Sequence, residues 1–229
     1  MRVNVLNSKS SFFTIEEYKA LRANITFSIP SCECKIIGIT SAEADTGKST
    51  TCLNLAIAFA QAKSKVLIMD CDLRNPSIAR LIGQPSAPGI SNVLVSISSL
   101  YDAIMHVENL DLDVILSGDI PPNPSELLGS DRMAGILDKL ATQYDYIFID
   151  TPPVIVSDAV ILAKRLTGVV MVVRSGLSKS DYIMSAVSQL KFAGANVLGF
   201  VLNDVTAGNS RRSGRRNNKY YGYGQYIKK

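Results

Sequence analysis

The sequence predicts an α/β protein built on a doubly wound, mostly parallel sheet, with a Tyr-rich C-terminal tail expected to be disordered. Three observations lead there. Short apolar runs alternate with segments of helical period along most of the 229 residues. Two of those runs, Val66–Met69 and Tyr146–Ile149, stop abruptly at acidic residues. A third, ending at Ile39, runs into a polar loop that closes on Gly47-Lys48-Ser49-Thr50. Regular βα alternation argues for parallel strands covered on both faces, with a ligand at their carboxyl ends. The length suits one domain with a sizeable core.

In chain order, residues 1–13 read as an extended polar lead-in. Thr14-Ile15-Glu16-Glu17 has the spacing of a capping box, so a helix is expected over 14–28, with Thr14 as N-cap. Tyr18, Leu21 and Ile25 share its apolar face, and Glu16, Lys19 and Arg22 form a neighbouring polar stripe. By spacing alone the stripe is a solvated face carrying local ion pairs. A strand is expected over 35–40 and a helix over 48–62, burying Leu53, Ala56, Ile57 and Ala60. Val66-Leu67-Ile68-Met69 reads as a central strand, since parallel strands buried on both faces are continuously apolar. Residues 77–110 read as short helices and loops. Further strands are expected at 112–116, 146–149, 168–173 and 197–202, with helices at 131–141, 157–166 and 179–192. A rigid proline-rich loop spans Ser117–Pro124. No internal repeat is visible.

The loop before Lys48 has the chemistry of a phosphate cradle. Backbone N–H groups at a helix start, with the helix dipole behind them, favour phosphate oxygens. Ala44, Asp45, Thr46, Gly47, Lys48, Ser49 and Thr50 form the candidate nucleotide loop, with Lys48 on the phosphates and the Ser49 hydroxyl on Mg²⁺. Ala42 stands where the usual pattern has a further glycine. Asp150 closes an apolar strand, a placement suited to holding Mg²⁺ directly or through water. Asp70 and Asp72 alternate along an extended segment and project to one side, while Cys71 between them points to the core. Phosphoryl transfer needs phosphate positioning, Mg²⁺ and a proton acceptor. Lys48, Ser49, Asp150 and the Asp70/Asp72 pair supply that set, with either aspartate as base or metal-linked group. Arg74 is placed to touch phosphate or to pair with an acid.

Charge is unevenly distributed. From Val205 to the end there are seven basic residues and no acid, which leaves 17 basic against 20 acidic residues in 1–204. The chain therefore divides into a mildly acidic domain over 1–204 and a basic tail over 205–229, and the basic excess does not mark a nucleic-acid-binding fold. Four of the nine tyrosines, Tyr220, Tyr221, Tyr223 and Tyr226, fall in the last ten residues, spaced by glycine. Such a segment is expected to be mobile and accessible to modification. Phosphorylation would offset its positive charge. By composition alone, stacking on nucleic-acid bases or contact with anionic lipid are equal alternatives. Cys32 and Cys34 are too close for an easy disulfide, and with His106 as the one imidazole a zinc site is not expected. No apolar run is long enough to span a membrane, and no signal peptide is read.

Taken together, these motifs resemble the bacterial tyrosine kinases of the cytoplasmic, capsular-polysaccharide type, which are P-loop NTPases with a core like that of MinD and ParA. Ser41–Thr50 resembles the Walker A motif of that family, Ile68–Arg74 its Walker A′ motif, and Ile147–Pro153 its Walker B motif. The Gly118–Leu128 loop and the terminal tyrosine cluster are also family-like. The resemblance implies ATP-dependent autophosphorylation of the cluster, in trans between subunits of a ring-like homo-oligomer. It makes Lys48, Asp70, Asp72 and Arg74 catalytic, Ser49, Asp70, Asp72 and Asp150 the Mg²⁺ set, and Glu16, Lys19 and Arg22 an oligomerisation motif. Lys19 departs from the family's arginine and loses its bidentate fork. Asp45 and Thr46 depart in the Walker A loop, where the family has glycine and often glutamate. The implied partners are a transmembrane activator, a tyrosine phosphatase and protein substrates in polysaccharide synthesis, with no nucleic acid. The implied location is cytoplasmic, at the inner face of the membrane through the activator, and the implied process is control of capsule or exopolysaccharide synthesis and export.

The alternative is a MinD/ParA-like switch ATPase. That class carries a signature lysine five residues before the Walker lysine, where this chain has Glu43, and it lacks a terminal tyrosine cluster. A non-catalytic nucleotide-binding module with a nucleic-acid tail is the third possibility.

Overall fold

The computed structural model describes residues 5–7, 9–29 and 34–205. The described chain begins with helix α1 (Phe12–Ser28), strand β1 (Lys35–Ser41), helix α2 (Lys48–Ala60) and strand β2 (Val66–Asp70). Three short helices follow, α3 (Ile78–Ile82), α4 (Ile90–Leu94) and α5 (Leu100–Ala103), then a hairpin of β3 (Ile104–Val107) and β4 (Leu112–Ile115). Helices α6 (Pro124–Gly129) and α7 (Asp131–Ala141) lead into β5 (Tyr146–Asp150) and α8 (Ser157–Ala163). Strand β6 (Gly168–Arg174), helix α9 (Ser180–Phe192) and strand β7 (Val197–Asn203) complete the order.

All seven strands join one sheet in the order β3-β4-β2-β5-β1-β6-β7. Every neighbouring pair is parallel except β3–β4. The expected doubly wound sheet is therefore present, with one antiparallel edge. Strand β3 lies inside the stretch read as helices and loops. Its four residues, Ile-Met-His-Val, are too few for a period to show, and its pairing with β4 is what makes it a strand. Helix α6, not expected from sequence, follows the loop expected over Ser117–Pro124 and begins at its last residue. Pro124 occupies its first turn, where a missing N–H costs nothing, and Asn123 is the N-cap.

Alternation along the central strands divides the core between the two faces. Ile39, Ile68 and Phe148 pack with Leu53, Ile57 and Phe59 of α2 on one face. Leu67, Met69, Ile147 and Ile149 pack with Met133, Leu137 and Leu140 of α7 on the other. Helix α2 is buried nearly all round, beyond the single face expected, because α1 lies over it. Ile25 of α1 is buried, with Tyr18 and Leu21 packed against the same core. Asn54 of α2 donates to the Tyr18 hydroxyl at 3.2 Å and accepts the Leu6 N–H at 2.7 Å. Helix α1 begins two residues before the expected start. Ser11, not Thr14, is the N-cap and accepts the Thr14 N–H. A serine three residues before Thr14 caps equally well and lets Phe12 and Phe13 join the helix.

Cys52 and Cys71 are buried thiols, and Cys71 faces the core as expected. Among the described residues no helix is long and apolar enough to cross a membrane.

Candidate active site

The order of the sheet brings three loops together on one rim. Strand β1 lies between β5 and β6, and β2 lies on the far side of β5. The loop after β1 (42–47) and the segments after β2 and β5 thus share the carboxyl-end crevice. Asp70 and Asp150 are register partners on adjacent strands, and Ile39 partners Asp150 on the other side.

The β1–α2 loop is shaped by its backbone. Asp45 has φ +58° and Gly47 φ +87°, both in the left-handed region. Aspartate tolerates that region better than most residues, which accounts for Asp45 at a position where the resemblance implies glycine. Asp45 is exposed, so its charge is turned to solvent. A Cβ at Gly47 would stand 2.2 Å from Asn203 Nδ2, so glycine is required there by both angle and space. Asn203 at the end of β7 donates to the Thr46 carbonyl at 2.8 Å, and Arg174 of β6 donates to the Asp45 carbonyl at 3.1 Å. Arg174 is itself held by Asp204 at 2.9 Å. The loop is therefore stapled at two carbonyls by β6 and β7. No side chain caps the N-terminus of α2, so its first-turn N–H groups remain available to an anion.

Lys48, Asp72 and Asp150 form a buried charged triad. Lys48 Nζ lies 2.6 Å from Asp72 Oδ2, 3.3 Å from Ser49 Oγ and 3.8 Å from Asp150 Oδ1. Burial works against the Lys48 ammonium, but Asp150 and Asp72 outweigh it and raise its pKa. Asp150 is fully buried, and neither carboxylate oxygen has a hydrogen-bond partner among the described residues. Ser49 stands close enough to favour the carboxylate without reaching hydrogen-bond geometry. Burial pushes the Asp150 pKa up to about 7, against the pull of Lys48.

Asp70 is placed differently. Its Oδ2 accepts the Ser77 and Ile78 N–H groups at 3.1 and 3.0 Å, and its Oδ1 accepts the Asp72 N–H at 3.2 Å. Burial still raises its pKa, to about 6, against those hydrogen bonds. Asp72 accepts the Asn75 N–H on its other oxygen at 3.1 Å. Both aspartates thus hold the turn after β2 as well as facing Lys48.

Arg74, placed by sequence to touch phosphate or an acid, pairs with an acid. Its Nε lies 2.8 Å and its Nη2 3.1 Å from the two oxygens of Asp158, the second residue of α8. Ser125 of α6 also donates to Asp158. Burial alone would raise the Asp158 pKa, but the hydrogen bonds from Arg74 and Ser125 outweigh it and hold the carboxyl below its usual range. Asp158 and Ser125 were not singled out from sequence, although Ser125 lies in the family-like loop. Glu43 was noted from sequence only for standing where the switch ATPases carry a lysine. Its Oε2 accepts the Lys179 N–H at 3.3 Å, at the N-cap of α9, so this acid ties the phosphate loop to the next helix.

Of the stripe on α1, Glu16 and Lys19 pair with each other at 2.8 Å on the exposed face. Arg22 turns inward and donates to the Ala58 carbonyl near the end of α2 at 2.7 Å. Tyr220, Tyr221, Tyr223 and Tyr226 lie outside the described residues, as do Cys32 and the tail from residue 206.

A nucleotide and a divalent cation fit these residues. The uncapped start of α2, the Lys48 ammonium and the buried, unpartnered Thr46 hydroxyl suit phosphate oxygens. The Asp150 carboxylate is buried with no hydrogen bond among the described residues and only the Lys48 ammonium 3.8 Å away, a charge that a further cation relieves. Among the described residues no group of three or more His, Cys, Asp or Glu forms a ready metal cage. Mg²⁺ takes one or two carboxylates and completes its shell with water and substrate phosphate.

Sheet order, loop and acids define the class: a P-loop NTPase. Comparison with known proteins refines it. Residues 34–195 match the AAA domain family. The tyrosine-protein kinase CpsD of Streptococcus agalactiae is 36% identical over 95% of this chain and 98% of its own. The solved kinase domain of the Escherichia coli tyrosine kinase ETK is 34% identical, with a TM-score of 0.83 over 89% of this chain and 80% of that one. The septum site-determining protein MinD of Pyrococcus horikoshii, complexed with Mg-ADP, is 26% identical, with a TM-score of 0.64 over 74% of this chain and 70% of its own. The chain belongs to the bacterial tyrosine-protein kinases, and it shares the wider MinD-type core.

Proposed function

We propose that this chain is an ATP- and Mg²⁺-dependent protein-tyrosine kinase that phosphorylates its own C-terminal cluster, Tyr220, Tyr221, Tyr223 and Tyr226, in trans between subunits. The observation that carries the reading is the pairing of a buried Lys48–Asp72–Asp150 triad with a tyrosine-rich terminus in one kinase-family chain. The switch ATPase is disfavoured by Glu43, bound to the start of α9 where that class has its signature lysine.

In this reading residues 44–50 hold the phosphates, and Lys48 leaves Asp72 to neutralise charge on the transferred phosphoryl group. Ser49 and Asp150, with Asp72 nearby, would hold Mg²⁺, whose contribution is to neutralise phosphate charge. The Asp70/Asp72 pair accepts the proton of the tyrosine hydroxyl. Arg74, fixed by Asp158 and Ser125, keeps the Asp72 turn in place. Helix α1 carries the subunit contact through Glu16 and Lys19, with Arg22 securing the helix to α2. Alanine at all three positions should lower the mass measured by light scattering, and an unchanged mass would remove that role. A transmembrane activator would bring the kinase to the inner face of the membrane. Its phosphorylation cycle, reversed by a phosphatase, would control capsule or exopolysaccharide synthesis and export and act on proteins of that process.

The test is purified protein with Mg-ATP, with and without the activator's cytosolic segment, followed by phosphopeptide mapping. Label is expected in residues 220–226 and is abolished by Lys48→Met. ATP hydrolysis with no phosphotyrosine under either condition would favour the switch ATPase.

A further inference from the structure

The rim that carries the triad also carries large apolar side chains turned to solvent: Val205 after β7, 63% exposed, and three that follow more central strands. Ile120 follows β4 and is 68% exposed, Ile155 follows β5 and is 80% exposed, and Leu177 follows β6 and is 55% exposed. None belongs to the phosphate or metal chemistry, and exposure on that scale leaves their apolar area without a partner among the described residues. Their roots are evenly spaced. One strand, β2, separates β4 from β5, and one strand, β1, separates β5 from β6. At about 4.8 Å between strands, the three roots step across the rim at intervals of roughly 10 Å. The middle one, Ile155, follows β5, which lies between β2, leading to the Asp72 turn, and β1, leading to the phosphate loop.

The tail has a matching interval. Tyr220, Tyr223 and Tyr226 recur every third residue. In an extended polyproline II conformation, three residues make one turn of about 9 Å, so these tyrosines share one side while Tyr221 does not. Charge agrees with this pairing. The tail brings basic residues and no acid. The rim exposes Asp45, Asp119, Glu126 and Asp181 against one exposed cation beside Leu177, Lys179, while its Arg74 and Arg174 are each paired with an aspartate. Length agrees too. Twenty-four residues follow Val205, and Asn203, at the end of β7, touches the phosphate loop, so the described residues end at the rim itself.

We infer that Ile120, Ile155 and Leu177 form the docking strip for the acceptor, and that its occupant is the Tyr220–Tyr226 segment of a second copy of this chain. The strip reads aromatic side chains at three-residue intervals. When one tyrosine enters the site, its neighbours on the same side rest on the flanking apolar residues. This rests on the kinase reading above and adds to it the residues that select the acceptor. It also bears on other substrates, which should present tyrosines or other aromatic residues at the same interval among basic residues.

The experiment uses the full chain with Tyr220, Tyr221, Tyr223 and Tyr226 changed to Ser as enzyme, and a synthetic peptide of residues 218–229 as acceptor. Ile155→Ser and Ile120→Ser should each raise the peptide KM by about fivefold, the scale expected for losing part of one buried aliphatic side chain. The KM for ATP should stay within twofold. Phe192→Ser, an exposed aromatic at the far end of α9, serves as the control and should change neither. A peptide with Tyr220 and Tyr226 changed to Ser should lose affinity for the parent enzyme and become insensitive to Ile120→Ser. If the parent labels the peptide and the rim variants match it, the docking strip is wrong. If the parent does not label the peptide while ATP hydrolysis continues, the kinase reading fails first.

Discussion

Lys48 Nζ sits 2.6 Å from Asp72 Oδ2, so the lysine proposed to bind phosphate is engaged by a buried carboxylate. In the proposed reaction, incoming phosphate takes over that lysine and leaves Asp72 close to the reacting groups. Asp72→Asn should therefore separate binding from chemistry. The phosphotyrosine formation rate is expected to fall by about a hundredfold or more, in the range of losing an acid–base group. ATP affinity, measured by equilibrium titration, should hold within a few-fold or tighten, because the competing anion is gone.

Asp150 gives the account a pH dependence with a definite sign. Burial raises its carboxyl to about 7 and that of Asp70 to about 6 in the folded chain, against about 3.9 when unfolded. Between those values the folded state holds protons that the unfolded state has lost. The nucleotide-free protein should therefore gain stability as pH falls from 8 toward 5 and lose it as pH rises through 7. Asp150→Asn removes the penalty of the buried charge. By thermal unfolding the variant should melt about 4 °C or more above the parent at pH 8, with the gap closing near pH 5. A gap independent of pH would mean that Asp150 does not titrate in this range.

The Arg74–Asp158 pair should respond asymmetrically to its two deletions. Asp158 is fully buried, whereas the Arg74 side chain is 45% exposed. Arg74→Ala leaves a buried carboxylate with Ser125 as its remaining side-chain donor, and should cost about 2–3 kcal/mol in urea unfolding. Asp158→Asn leaves a guanidinium that water can reach, and should cost about 1 kcal/mol. Equal losses would mean that the pair is not what holds the Asp72 turn against α8.

The parts legible in the sequence are those fixed by local rules. An apolar run ending in aspartate marks a strand end, so Asp70, Asp72 and Asp150 could be gathered on one rim before any coordinates. Gly47 and Lys48 announce themselves through the loop and the helix that follows. The parts not legible depend on distant packing. Asp158 meets Arg74 across 84 residues, and Glu43 meets the Lys179 N–H across 136; nothing near either acid distinguishes it from a first-turn or loop carboxylate. Strand β3 exists through its partner β4, and the start of α1 turned on two equally suitable hydroxyl caps three residues apart. The odd Asp45 became intelligible only with its φ of +58°, which a sequence does not display.

The central claim is that one chain's site acts on another chain's tyrosines. It is tested by mixing two full-length variants of distinguishable mass. One carries Lys48→Met with an intact tail, and the other has an intact site with Tyr220, Tyr221, Tyr223 and Tyr226 changed to Phe. With Mg-ATP and the activator's cytosolic segment, neither should become phosphorylated in the 220–226 segment alone. Together, phosphate should accumulate on the Lys48→Met chain at those tyrosines. A mixture that stays unlabelled while the unmodified chain labels itself would contradict transfer between subunits and point to a reaction confined to a single chain.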